Sequence, residues 1–184
     1  MYPGNTPVPV MNRRHRRWRL TLLDVVYGVA MAAQASLVFL FPDGNRTWLV
    51  LAGWGLFAVS AVLGWLPIFV FRRRGRVAKG KSYIHTTALV TTGIYAVVRH
   101  PQFLAGDFLA VAVMCITQRW PAYVVGAVAV AANRWTMVKA DRRLVAKFGE
   151  PYQEYSRRVS RTNLLLGTVR WLHRRSGSNR EAKP

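Results

Sequence analysis

An arginine, a histidine and a proline stand in a row at Arg99-His100-Pro101, where an apolar run is about to begin at Gln102. Histidine takes or gives a proton near neutral pH, and arginine offers a planar fork of donors to an anion, so this string puts one cation and one imidazole at a membrane mouth. Arg134, beside Asn133, falls about one turn inside the end of the next apolar run, where it either grips a carboxylate with both arms or snorkels to the headgroups. Asp107 lies about two turns into the run that follows Pro101; it reads as a partner for Arg134 or as a structural helix–helix contact. Asp24 reads as an interface residue. Farther on, Leu144, Phe148, Tyr152, Tyr155 and Val159 recur three or four residues apart, the stripe of an amphipathic helix that lies on the membrane or on a loop, or that brings its tyrosines to a site. Cys115 has no second cysteine to pair with and reads as a small hydrophobe. His15, His85 and His173 read as structural, and no metal is called for.

The elements that must hold these groups are membrane helices. The chain has 184 residues, 52% of them hydrophobic, and the apolar residues fall in long uninterrupted runs, which excludes an ordinary soluble globule. Leu20 to Phe41, Trp48 to Phe71, Gln102 to Thr117 and Pro121 to about Val138 approach or reach the roughly 20 residues that cross a hydrocarbon core. The last two are short and must borrow flanking turns or sit in thinned lipid. Pro101 and Pro121 sit at the first turns of their helices, Pro42 follows the first run, and Pro67 is expected to kink the second. The chain after the fourth run continues helically as Lys139 to Phe148, breaks at Gly149 and restarts at Pro151. The loop from Ser82 to His100 is too rich in Tyr, Ile, Thr and Val for a linker and is expected to fold back on the helix ends, with a turn at Gly93. Residues 1–11 and the tail from Ser176 are expected to lack order.

Lysine and arginine number 27 against 7 acids, a net charge of +20. Their positions assign the topology. Five arginines precede the first run, seven basic residues separate the second from the third, and twelve follow from Lys139 onward, whereas only Arg46 and Arg119 occupy the two short opposite loops. By the positive-inside rule both termini and the long middle loop are cytoplasmic. The arginine runs are explained by topology and by anionic headgroups, so no nucleic-acid partner is expected. The basic start followed by an apolar stretch is not expected to be a cleaved signal, because the stretch exceeds a signal core and no small-residue cleavage pattern follows it.

The string Thr92-Gly93-Ile94-Tyr95-Ala96-Val97-Val98-Arg99-His100-Pro101-Gln102-Phe103, with Asp141-Arg142-Arg143-Leu144, Phe148-Gly149, Tyr152, Tyr155 and Arg157-Arg158-Val159 after the next helix, resembles the isoprenylcysteine carboxyl methyltransferase and phospholipid methyltransferase superfamily. The resemblance covers roughly Gly80 to Thr162. It implies an all-α polytopic membrane protein of four transmembrane helices with a cytoplasmic loop and an amphipathic C-terminal helix: a basic segment 1–19, one methyltransferase-like domain 20–162, and a basic tail 163–184.

The resemblance further implies S-adenosylmethionine as cofactor, with Tyr95, Arg99, His100, Pro101, Asp141 and Tyr152 around it. No glycine-rich strand-to-helix turn is present, so a dinucleotide-type cofactor fold is excluded and helix ends and loops must do the holding. Arg134 and His100 are the candidate catalytic residues: Arg134 for the carboxylate of acceptor or cofactor, His100, or else Asp141, as base if the acceptor is an amine or neutral thiol. The expected partners are the bilayer, here the cell (plasma) membrane, and a lipophilic methyl acceptor: an isoprenylcysteine carboxylate, a phospholipid or another isoprenoid. Ala140 stands where many relatives carry an acid, and Phe103 where a tyrosine is common. The alternative reading is therefore a non-catalytic membrane scaffold of the same fold that has lost cofactor binding.

Overall fold

The computed structural model describes residues 21–41, 44–74 and 89–181. The expectations for residues 1–11, for the arginines before the first run and for the loop through Ser82 and His85 lie outside them. The described residues form six α-helices: α1 (Leu22–Leu40), α2 (Thr47–Arg74), α3 (Pro101–Thr117), α4 (Trp120–Phe148), α5 (Glu150–Arg158) and α6 (Leu164–Glu181), with one turn of 3₁₀ helix at Gly93–Ala96. No strand is present among them, and the one β-like pairing is an isolated bridge.

Two helices, α1 and Thr47–Val70 of α2, are long and apolar enough to span a bilayer. The four-span expectation is met at these two. Helix α3 is apolar but has only 17 residues, about 26 Å at 1.5 Å per residue against a hydrocarbon core of about 30 Å. Helix α4 has 29 residues but carries Arg134 and Lys139 within its length.

The described chain divides into two compact units, with the boundaries inside α2, after Pro101 and inside α4. The first contains α1, α2 up to Gly64, and Gln102–Asp141. Its helices approach closely because their facing residues are small: Ala30, Ala110 and Ala129 form a buried cluster, and a Cβ added at Gly53 would fall 2.9 Å from the Ala112 carbonyl oxygen. Interhelical hydrogen bonds add to the packing, from Ser60 Oγ to the Ala105 carbonyl (2.7 Å) and from Gln34 Nε2 to the Ala110 carbonyl (3.2 Å). At one end of the unit Gln118 clasps Arg46, donating to its carbonyl and accepting from its backbone N–H at 3.0 Å each. At α1's start Asp24 does more than sit at an interface: it accepts from the Thr21 backbone N–H and hydroxyl, both at 2.8 Å, and so caps the helix.

The second unit contains Trp65–Pro101 and the chain from Arg142 onward. The tyrosine stripe forms its core: Phe148, Tyr152, Tyr155 and Val159 are buried together, with Leu89, Leu144 and Val145 packed against them. Gly149 adopts φ +64, the left-handed value that breaks α4 from α5 as its residue type suggests. The segment from Ser176, expected to lack order, continues α6 to Glu181. The helix is started by Asn163, whose Oδ1 accepts from the Leu166 backbone N–H at 3.0 Å. Its first residues, Leu164-Leu165-Leu166, supply the helix-forming run that the polar composition farther on obscures.

Candidate functional site

The Arg-His-Pro string is held from behind by the turn between α5 and α6. Val98 pairs with Ser160 in the isolated parallel bridge. The Arg99 backbone N–H donates to the Ser160 carbonyl (2.9 Å) and the His100 N–H to the Arg161 carbonyl (3.2 Å). Arg99 then uses its side chain for the same purpose, Nε donating to the Val159 carbonyl at 3.0 Å. One turn upstream, the Tyr155 hydroxyl donates to the Tyr95 carbonyl at 2.7 Å. Gly167 of α6 comes so close to Val97 that a Cβ there would lie 2.2 Å from the Val97 carbonyl oxygen. Gly93, at φ +68, supplies the turn that starts the segment.

The result is a backbone from Val97 to His100 fixed at successive residues, with His100 only 6% exposed and Tyr95 7%. Pro101 is fully buried and opens α3 where its missing N–H costs nothing. Tyr152, 2% exposed, packs in the core of this unit with its ring edge-on to Tyr155. Tyr95, Arg99, His100, Pro101 and Tyr152 thus belong to one body, and within it Arg99 and Tyr152 have identifiable structural tasks.

Arg134 and Asp141 belong to the other unit. Arg134 stands in a polar network on α3 and α4: its Nε lies 2.7 Å from Asp107 Oδ2, while Asn133 Nδ2 donates to Asp107 Oδ1 (2.8 Å) and to the Phe103 carbonyl (2.7 Å). Of the two readings for Asp107, the pairing with Arg134 and the helix–helix contact are both realised, since the same carboxylate bridges α3 to α4. The Asp107 side chain is 7% exposed, that of Arg134 49%, so the guanidinium is oriented from its buried side and reaches outward on the other. Asp141 is buried on α4. Among the described residues no group of three or more His, Cys, Asp or Glu could hold a metal.

Sequence reasoning missed the residues that hold the string. Ser160 and Arg161 act through their carbonyls, which leave no trace in residue type. Gly167 and Asn163 went unread as well, although each carries a signal: a glycine inside a helix needs a packing reason, and asparagine before a leucine run is a capping signal.

The phospholipid methyltransferase family model matches residues 48–149, more than half of the chain. The match takes in α2, which lies outside the Gly80 to Thr162 resemblance, together with Tyr95, Arg99, His100, Pro101, Arg134 and Asp141; it leaves α1, Tyr152, α5 and α6 outside. No curated protein and no solved structure matches the chain significantly.

Proposed function

The chain belongs to the phospholipid methyltransferase family, and from that premise we propose that it is an integral membrane methyltransferase moving a methyl group from S-adenosylmethionine to an amphipathic or lipid-linked acceptor, an isoprenylcysteine carboxylate, a phospholipid or another isoprenoid. The observation that carries the reading is the Arg-His-Pro segment itself: a buried imidazole on a backbone pinned by hydrogen bonds to residues 159–161 is the preorganisation a transfer site needs. The proposal includes four spans, α1 and α2 together with α3 and the apolar part of α4, with both termini cytoplasmic as the basic residues indicate.

The residue types present suit the cofactor. Tyr95 supplies an aromatic ring, Asp141 a carboxylate for hydroxyl or ammonium groups, and Arg134 a guanidinium for a carboxylate, whereas Tyr152 packs in the core at 2% exposure and Arg99 has its Nε on the Val159 carbonyl. The bound cofactor supplies a methyl on a positively charged sulfur, which leaves as a neutral thioether. The chain's own residues then have modest tasks: Pro101 and the pinned backbone position His100, and the buried surroundings exclude water. With a carboxylate or thiolate acceptor no base is required. With an amine or neutral thiol, a ring nitrogen of His100 or the Asp141 carboxylate accepts the acceptor's proton.

The scaffold alternative is favoured by Ala140, which removes a carboxylate many relatives carry beside Asp141. Calorimetry separates the two. Purified protein in detergent is expected to bind S-adenosylmethionine, with His100→Ala weakening it about fivefold or more, the value of about 1 kcal/mol of lost hydrogen bonding. His173→Ala, on the exposed part of α6, is expected to leave binding unchanged. No heat from folded parent protein overturns the enzyme in favour of the scaffold.

A further inference from the structure

Helices α1 and α4 run side by side with an open seam between them, all of it within the first unit. On α1 the seam is lined by Leu22, Val25, Val29 and Ala33, and on α4 by Val124 and Val128. These are single helical faces, spaced three or four residues apart. Along Val25–Ala33 and Val124–Val128 the seam opens into a groove of about 340 Å³ with valine and alanine walls. The end near Leu22 differs in chemistry. There the lining residues are Leu22, Leu23, Trp135 and Lys139, the last two continuing the Val124–Val128 face of α4.

Trp135 is 60% exposed, an amphipathic ring of the kind that settles at headgroup level. Lys139 makes no ion pair among the described residues. The nearest acid in sequence on α1, Asp24, has its oxygens on Thr21 and Thr136. The two hollows share no lining residue but lie along the same faces of the same helix pair, so that an apolar groove with one unpaired cation and one interfacial tryptophan beyond it is complementary to a molecule with a hydrocarbon chain and an anionic head. From Leu22 to Ala33 the α1 wall is about 17 Å long at 1.5 Å per residue, enough to sheathe most of one extended acyl chain.

We propose that this seam is a lipid-binding site holding one anionic phospholipid of the surrounding bilayer, with a chain laid between α1 and α4 and the phosphate at Lys139. The site does not rest on methyl transfer: α1, which forms one of its walls, lies outside the residues that match the family. Its role is to fill the seam of a helix pair whose own side chains leave it open. Lys139 selects charge, and the valines take any chain.

Native mass spectrometry of the detergent-purified full chain tests this, with phosphatidylglycerol and phosphatidylcholine as probes. The parent is expected to retain one phosphatidylglycerol, about fivefold over phosphatidylcholine, the preference one lysine gives. Lys139→Gln is expected to erase that preference while weak retention of either lipid persists. Val29→Trp and Val128→Trp, which fill the groove from opposite walls, are expected to cut retention of both lipids at least tenfold. Circular dichroism identifies which tryptophan variant keeps the parental helicity, and Lys139→Gln, a change at a partly exposed position, remains informative whatever the other two do. Equal retention of the two lipids by the parent overturns the proposal, as does an unchanged preference in Lys139→Gln. So does parental retention in a folded tryptophan variant.

Discussion

Gly167→Ala is a one-carbon change whose consequence follows from a single contact. The added Cβ would fall 2.2 Å from the Val97 carbonyl oxygen and 3.0 Å from its carbonyl carbon. Both are backbone atoms, so neither can swing aside as a side-chain tip would, and either α6 or the Val97 peptide must move. Overpacking of this kind costs about 1–3 kcal/mol. Alanine also favours the helix by about 1 kcal/mol over glycine, but that gain accrues to α6 wherever it lies and does not return Val97 to its place. The amides that report the displacement are those of Arg99 and His100, bonded to the Ser160 and Arg161 carbonyls just before α6. Lowering their opening free energy by about 1–3 kcal/mol speeds hydrogen exchange there about 5- to 150-fold. Gly28→Ala is the control, since a Cβ at Gly28 meets nothing within 4 Å. Exchange at residues 97–100 that is as slow in Gly167→Ala as in the parent, with α6 still helical, refutes the view that α6 braces this segment.

Arg134→Lys keeps a cation that can pair with Asp107 and reach the headgroups but loses the planar fork that would hold a bound carboxylate with both arms. Thermal stability and expression are expected to stay near parental while affinity for the cofactor or the acceptor falls about tenfold or more, as a charge-assisted hydrogen bond worth about 1.5–3 kcal/mol requires; unchanged affinity for both ligands assigns Arg134 to the Asp107 pairing alone. Burial of Lys147 near the end of α4 lowers the pKa of its ammonium, so the folded chain releases this proton at lower pH than the unfolded one. Stability contributed by this residue is therefore expected to rise with pH up to the ordinary lysine value of about 10.4. Thermal melts from neutral pH to about pH 10 should show the rise in the parent and a flatter profile in Lys147→Met; equal slopes in the two proteins refute the assignment.

Helix ends were legible where composition changes abruptly. The apolar run Leu20 to Phe41 became α1 (Leu22–Leu40), and Pro101 opens α3 because proline tolerates a first turn and little else in a helix. The stripe from Leu144 to Val159 was equally legible, since its spacing survives the break at Gly149 and its aromatic members had to bury together. At the candidate site the residues carrying the chemistry were visible and those holding them were not. Val98 and Ser160 pair across 62 positions through a single bridge, too short to show the alternation that marks a strand. The two readings of Arg134 were likewise inseparable in sequence, because Asp107 meets it only through the packing of α3 on α4. Helix α6 was obscured by the Ser, Gly and Arg content beyond Trp171, although Asn163 marked its start.

The clasp between residues 98–100 and 159–161 has a consequence for biogenesis. A ribosome adds about 5–20 residues each second, so the Arg-His-Pro segment is made roughly 3–12 s before the carbonyls that anchor it. During that interval Arg99 and His100 are linked to a growing α3 with nothing at their backs, and two donors that end up paired inside the protein must be served by water or by the translocation machinery. Only when residues 159–161 have been made can the segment take up its final backbone pairing. A chain cut short before Ser160 would carry the histidine and the arginine yet lack the carbonyls that pair their backbone N–H groups and so hold them in place.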